Sequence, residues 1–187
     1  IIAELSIDVL GDAQTIANLA NREPLYALQK APIADSDLSG TARAHIDAAF
    51  PLYRSEGAPK TIWKASVDFD GLSIAKDFNG QKLTEAKGRL DVDQKTAVFS
   101  ATGKLNGIPA EINLSEPIGP GEKKREYSAK LKLDDKARAK IMPGLADILK
   151  GVASVEVTDG GGGTQNVKAD LKAATLSLPW AGWSKGG

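Results

Sequence analysis

Side chains able to do chemistry are sparse in this 187-residue chain. His45 is the only histidine and cysteine is absent. A Ser-His-Asp site would therefore have to run through His45, and a thiolate or multi-histidine metal centre is excluded. His45 alternates with Arg43 and Asp47, which puts it on the polar side of a strand, where a surface histidine is the plainer reading than a general base. Asp68/Asp70 and Asp91/Asp93 are carboxylates two residues apart, so each pair shares one strand face. A glycosidase-like pair needs one acid kept protonated by burial. Both pairs instead sit among Lys and Ser, as on a solvated outer face, and they are too few for an oxygen-rich calcium site.

The other motifs are equally bland. Gly160 to Gly163 has no following Lys-Ser/Thr and no strand-to-helix context, so it does not read as a phosphate cradle, and no Gly-x-Ser-x-Gly occurs. Lys123-Lys124-Arg125, beside Glu122 and Glu126, reads as a solvated loop; no aromatic platforms interleave with it for nucleic acid. The sequence thus predicts no enzyme, no catalytic residue, no metal and no cofactor. Trp180 and Trp183 admit two readings, a terminal core plug or an interfacial contact to an apolar ligand, the plug being the plainer one.

Charge agrees with this: 24 basic against 24 acidic residues leave no net field to draw in nucleic acid or an anionic surface. With 42% hydrophobic residues the chain can close one core unaided by disulfides. Freedom from cysteine fits either cytosol or periplasm. No run approaches the roughly 18 apolar residues of a membrane span. The Ile1-Ile2 start, without Met or a basic leader, reads as a piece of a longer protein.

The elements that would position these residues are mainly strands. Gly11-Asp12 supplies a break and an N-cap for a helix over 12–21 with Ala13, Ile16, Ala17 and Ala20 on one face, and Leu25 to Lys30 reads as a further turn before Pro32. From Leu38 the hydrophobic period changes to two. Leu38–Leu52 and Ile62–Phe69 are strands, the latter with Trp63, Ala65, Val67 and Phe69 on one side. Asn106-Gly107 specifies a two-residue type I′ hairpin. It pairs Leu105 with Ile108, Gly103 with Ala110, Ala101 with Ile112 and Phe99 with Leu114. The loop Asp93–Thr96 then pairs Val92 with Ala97, Leu90 with Phe99, Gly88 with Ala101 and Ala86 with Gly103, with Glu85 opposite Lys104 on the other face. Pro109 must interrupt the next ladder or mark an edge. Tyr127–Leu133 is another strand, Asp134 to Lys150 a helix bent or split at Pro143-Gly144, and Val152–Thr158 and Asn166–Leu178 a final hairpin around Asp159–Gly163.

The predicted fold is mainly β (α+β): a curled antiparallel meander with two short helices, as a single domain over 1–187. Its parts are a helical lead-in (1–33), the sheet (38–133), a helix (134–150) and a terminal hairpin (152–180). One sheet face is apolar and studded with Ala86, Gly88, Ala97, Ala101, Gly103 and Ala110. Such residues let a sheet coil tightly or another body approach its backbone. The pattern favours a face covered by the two helices; the other reading is a partly open groove.

Several segments, in order, resemble a family: Ile16–Ala20 to Arg22-Glu-Pro-Leu25, Leu38–Ala44 to Phe50-Pro-Leu52, Lys64–Asp70, Gly80–Leu90, Gly103–Ala110, Asp134–Ala139 and Ala169–Lys185. Together they look like a C-terminal-region segment of the large AsmA-like proteins of Gram-negative bacteria, the YhdP and TamB class. The resemblance implies a periplasmic part of a protein anchored in the inner membrane, built of repeats, whose groove carries phospholipid toward the outer membrane. It supplies no catalytic residues and no fixed lipid motif. The register names the lipid-binding candidates instead: Leu90, Val92, Phe99, Ala101, Leu105, Ile108, Ile112 and Leu114. Ala101→Trp or Ala110→Trp is the expected block. Phospholipid or another apolar ligand and neighbouring repeats of the same chain are the partners so implied. The competing function is a structural or assembly module in envelope biogenesis acting through protein contacts.

Overall fold

The computed structural model describes residues 1–22, 33–53, 57, 59–77, 80–119, 124–141, 143–145, 147–161 and 163–186. The strands are β1 (Ile2–Asp12), β2 (Leu38–Pro51), β3 (Ile62–Ile74), β4 (Leu83–Asp93), β5 (Thr96–Leu105), β6 (Ile108–Pro117), β7 (Glu126–Leu133), β8 (Leu149–Gly151), β9 (Ala153–Gly161), β10 (Thr164–Asp170), β11 (Ala174–Leu178) and β12 (Trp183–Lys185). Two short helices, α1 (Ala13–Ala20) and α2 (Asp135–Ile141), interrupt them. Among the described residues nine strands form one antiparallel sheet in the order β1-β2-β3-β4-β5-β6-β7-β9-β10, and β12-β11-β8 form a second. The large sheet does not close on itself: β1 and β10 are its two edges.

The central hairpins follow the sequence pattern. Asn106 and Gly107 have φ of 52° and 79°, the left-handed pair a type I′ turn demands. The Asn106 side chain also fixes the segment before β4, accepting from the Lys82 amide at 2.8 Å. Registers from Leu105–Ile108 through Phe99–Leu114, and from Val92–Ala97 to Gly88–Ala101, are as predicted. The ladder between β6 and β7 starts at Ala110, one residue past Pro109, which has no N–H to give it.

Two predicted pairings fail. Thr84, not Glu85, lies opposite Lys104, and Ala86 is displaced from Gly103, because Glu85 and Ala86 together oppose one residue of β5. Glu85 takes φ of 52° in this bulge. Its carboxylate still accepts from Lys104 at 2.7 Å. The register also shifts in β3 around Asp70-Gly71, against both β2 and β4. Three neighbouring strands are thus irregular at one end of the sheet, which is how a sheet acquires a sharp local coil. The small residues permit it. A Cβ on Gly40 would come within 2.7 Å of the Gly71 carbonyl oxygen, and one on Gly88 within 2.1 Å of the Ser100 oxygen.

Other segments depart from expectation. The lead-in 1–33 contains the eleven-residue strand β1, and among its described residues helix is confined to Ala13–Ala20, capped as foreseen by Asp12, whose carboxylate accepts from the Thr15 amide at 2.8 Å. The turn proposed at Leu25–Lys30 lies outside the described residues. The helix expected over 134–150 splits at Pro143: α2 ends at Ile141, Pro143–Leu145 is a single 3-10 turn, and 149–151 is strand β8. The terminal strand expected at Asn166–Leu178 is two strands in different sheets, β10 and β11, with a turn between them closed by the Ala174 amide on the Leu171 carbonyl (3.1 Å).

Three buried clusters result. The largest joins Ala13 and Ile16 of α1 to Ala42, Ala44, Phe69, Leu72, Ala86 and Ala101. A second contains Leu105, Ala110, Ile112 and Ala129; a third, Leu149, Ala153 and Ala174, ties the small sheet to β9. The chain exposes 12,486 Å², where a compact 19.6 kDa monomer exposes about 8,600 Å².

Candidate functional site

Cross-strand partners in an antiparallel sheet share a face, so the register can be read sideways as rows. One row runs Val9–Ala44–Val67–Leu90–Phe99–Leu114–Tyr127. The next runs Gly11–Ala42–Phe69–Gly88–Ala101–Ile112–Ala129–Val157–Val167, through all nine strands without a charge. On the other side, Ile7–Ile46–Ala65–Val92–Ala97 ends at Glu116. At ~4.8 Å between strands, the seven-strand row is about 29 Å long. Phe69 and Phe99 stack at 5.3 Å across β4, over the space that Gly88 leaves.

All eight candidate residues lie on this face, but in two surroundings. Ala101, Leu105 and Ile112 are buried in the core clusters, and Ile108 is buried beside them in the chain. Leu90, Val92, Phe99 and Leu114 are half-buried. The face is not fully covered, contrary to the reading the pattern favoured. Helix α1 sits over one end only, through Ala13, Ile16 and Ala17. Helix α2 lies instead at the end of β7, where buried Arg138 donates to the Leu149 (2.6 Å) and Gly151 (2.9 Å) carbonyls and to Asp135. Away from α1 the face is open: Leu5 is 43% and Ile7 39% exposed, and Ile46, Ala48, Trp63 and Ala65 are half-buried. Residues of β1 and β2 were missing from the candidate set, although the alternation of Leu5, Ile7 and Val9 with Ser6 and Asp8 carried the signal.

The opposite face is a lattice of ion pairs. Asp68 and Asp91 both hold Arg89 (3.2 and 2.9 Å), and Asp70 holds Lys87 at 2.9 Å. Asp93 caps its own turn, accepting from the Lys95 and Thr96 amides at 2.7 and 2.8 Å. The two carboxylate pairs therefore serve as counter-ions and a turn cap. His45 lies between Asp8 on β1 (Nδ1 to Oδ1, 3.0 Å) and Asp47 (Nε2 to Oδ1, 3.3 Å). Hydrogen bonding to Asp8, reinforced by the Asp47 and Asp8 charges, raises its pKa above the ordinary 6.5. Asp47 also accepts from Ser6 (2.9 Å) and pairs with Lys64 (3.2 Å), and those bonds, Ser6 foremost, lower its own pKa. With a carboxylate on each ring nitrogen, the imidazole is a bridge between strands and has no nucleophile to activate.

No protein-family model, curated protein or solved structure matches the chain. The functional reading therefore rests on the chain's own geometry. Among the described residues, no group of three or more His, Asp or Glu could hold a metal, and no helix is long and apolar enough to cross a membrane. On the polar face a shallow hollow of about 420 Å³ is lined by Lys130, Lys132 and Lys168 against Glu111, Glu156 and Asp170, a balanced set that selects no charge. Lys123 lies outside the described residues; Arg125 of the same basic cluster is tied to Glu116 at 3.2 Å. The tryptophans are not a core plug, since Trp180 is 73% and Trp183 49% exposed.

Proposed function

We propose that the chain is a non-enzymatic segment of a periplasmic protein anchored in the inner membrane, and that it carries phospholipid along its apolar face toward the outer membrane. The observation behind this is the open part of that face. Rows of Leu, Ile, Val and Ala run across the strands, the ion pairs of β1–β5 lie on the other side, and the two helices leave the part around Leu5, Ile7, Ile46, Ala65, Val92 and Ala97 uncovered. The open row from Ile7 to Ala97 crosses five strands, about 19 Å, slightly more than the ~15 Å depth of one leaflet of hydrocarbon. Contacts of this kind are non-directional and scale with area, which suits a ligand that must slide. The ordered resemblance to AsmA-like proteins supplies the envelope setting and the direction.

The test is native mass spectrometry of the purified chain with lipid analysis of the same sample, after incubation with phospholipid vesicles. Ala101→Trp is a poor probe, because Ala101 is buried against α1's cluster and Gly88. Ala65→Trp/Ala97→Trp places bulk on half-buried positions of the open face. Near-stoichiometric phospholipid in the native chain, lost in a double variant with unchanged circular dichroism, is the expected result. A native chain that stays lipid-free would overturn the reading. Exposed Trp180 and Trp183 favour a second one, a module that acts in envelope assembly through protein contacts, since aromatic side chains are enriched in such interfaces.

A further inference from the structure

Two apolar rows end in polar groups at the same corner of the sheet. The row from Ile7 to Ala97 ends at Glu116, the one position of β6 where the apolar side carries a charge after Ile108, Ala110, Ile112 and Leu114. The row from Val9 to Leu114 ends at Tyr127. Arg125 lies two residues before Tyr127, so extended backbone puts both side chains on one side. Its Nε forms an ion pair with Glu116 Oε2 at 3.2 Å, and both side chains are 44% exposed. Lys124 precedes Arg125 and Glu126 follows it, and the backbone carbonyl of Lys95 accepts from the Ile118 (3.0 Å) and Gly119 (3.2 Å) amides just past Glu116.

A charged pair at the end of a greasy row adds nothing to core packing, and in this exposed setting it contributes little to stability. Its chemistry suits the end of an amphiphile. A guanidinium presents a fork of donors matched to carboxylate or phosphate, and Glu116 already occupies it as a carboxylate would.

We propose that Arg125, with neighbouring Tyr127, seats the anionic head of an amphiphile whose tail lies along the row from Ala97 toward Ile7, and that Glu116 is the resting counter-ion which that head displaces. This rests on the lipid-carrying reading and adds to it a polarity: head at β6–β7, tail toward β1. The shared chemistry is an anionic head on an alkyl chain, supplied either by a fatty acid carboxylate or by the phosphate of a phospholipid.

Calorimetric titration of the native chain with dodecanoate, dodecyl phosphate and uncharged dodecyl maltoside, each below its micelle concentration, tests this at low salt. The anions should bind about tenfold or more tightly than the maltoside, and the stronger of the two anions identifies the source. Arg125→Ala should bring both anions down to the maltoside's affinity while leaving the maltoside unchanged. Glu116→Gln should tighten anion binding severalfold by freeing the guanidinium. Equal binding of anions and maltoside to the native chain, or an equal loss of all three in Arg125→Ala, would overturn the head seat and leave the apolar face standing. Binding of none of the three would overturn both.

Discussion

Gly88→Ala adds one methyl group, and two principles disagree about its sign. Gly88 has no left-handed φ among the chain's positive-φ residues, so alanine there should reduce the freedom of the unfolded chain and stabilise by about 0.4–1 kcal/mol. The folded state argues the other way. The new Cβ would lie 2.1 Å from the Ser100 carbonyl oxygen, 2.7 Å from Ala101 Cα and 2.8 Å from Ala101 Cβ. Two of these three atoms are backbone and cannot swing aside. Strand β4 would have to move away from β5, stretching the ladder on either side of the Gly88–Ala101 pair and lifting the Phe69–Phe99 stack. Overpacking of this kind costs 1–3 kcal/mol, and with an unyielding backbone we expect about 3 kcal/mol. For a chain of this length that lowers Tm by roughly 6–12 °C. Circular dichroism reads the first quantity in urea unfolding and the second in a thermal melt. Ala101→Gly in the same chain should recover only part of the loss, since the closest atom belongs to Ser100. A Gly88→Ala variant as stable as the native chain, or more so, would refute the account of the tightly coiled sheet.

Gly107→Ala isolates the conformational effect: nothing lies within 4 Å of its Cβ, yet φ is 79°, so the same assay should show a loss of about 1 kcal/mol. Arg138→Ala leaves the Leu149 and Gly151 carbonyls without their donor and should cost about 3 kcal/mol; hydrogen exchange should show it first in β8. The raised pKa of His45 makes its contribution to docking β1 complete below pH 6.5 and lost as pH rises through the folded value. The lowered pKa of Asp47 makes its share present above 3.8 and lost as pH falls below it. Amide protection in β1 should therefore be greater at pH 5.5 than at pH 8.5, and His45→Gln should abolish that difference; an unchanged profile in the variant would remove His45 from the clasp.

What the sequence made legible was whatever local chemistry decides. Asn106-Gly107 can form one kind of turn, and with alternating neighbours it sets the register of β5 on β6 to the residue. Gly11-Asp12 marks a helix start because an aspartate there can reach the Thr15 amide. The bulge at Glu85-Ala86 was not legible, since no glycine or proline announces it and Glu85 adopts its left-handed φ only because the coiled sheet demands it. The ion pair to Lys104 survives the slip because a long side chain tolerates one residue of offset. Strand β1 was overlooked because Ile2 and Leu10 put apolar side chains on both of its faces and blur the alternation. The break between β10 and β11 is set by burial of Ala174 with Leu149 and Ala153, a tertiary event that the run of alternating residues conceals. Among the site residues, the hairpin fixed the shared face. Which of them are covered depended on where α1 settled, and periodicity does not encode that.

Each strand of the large sheet pairs with the strand that precedes it in the chain, apart from the short detour through α2 and β8 between β7 and β9. Long-range loop closure is therefore small, and the hairpin at Asn106-Gly107 can act as a seed from which strands are added outward in both directions. The same order fixes the mechanical behaviour. A load drawing β1 and β10 apart acts across the strands, so it meets the ladders one hydrogen bond at a time and peels the sheet from its edges at low force. A sheet left open at both edges is in this sense also one that can be unzipped, strand by strand, by whatever pulls those edges apart.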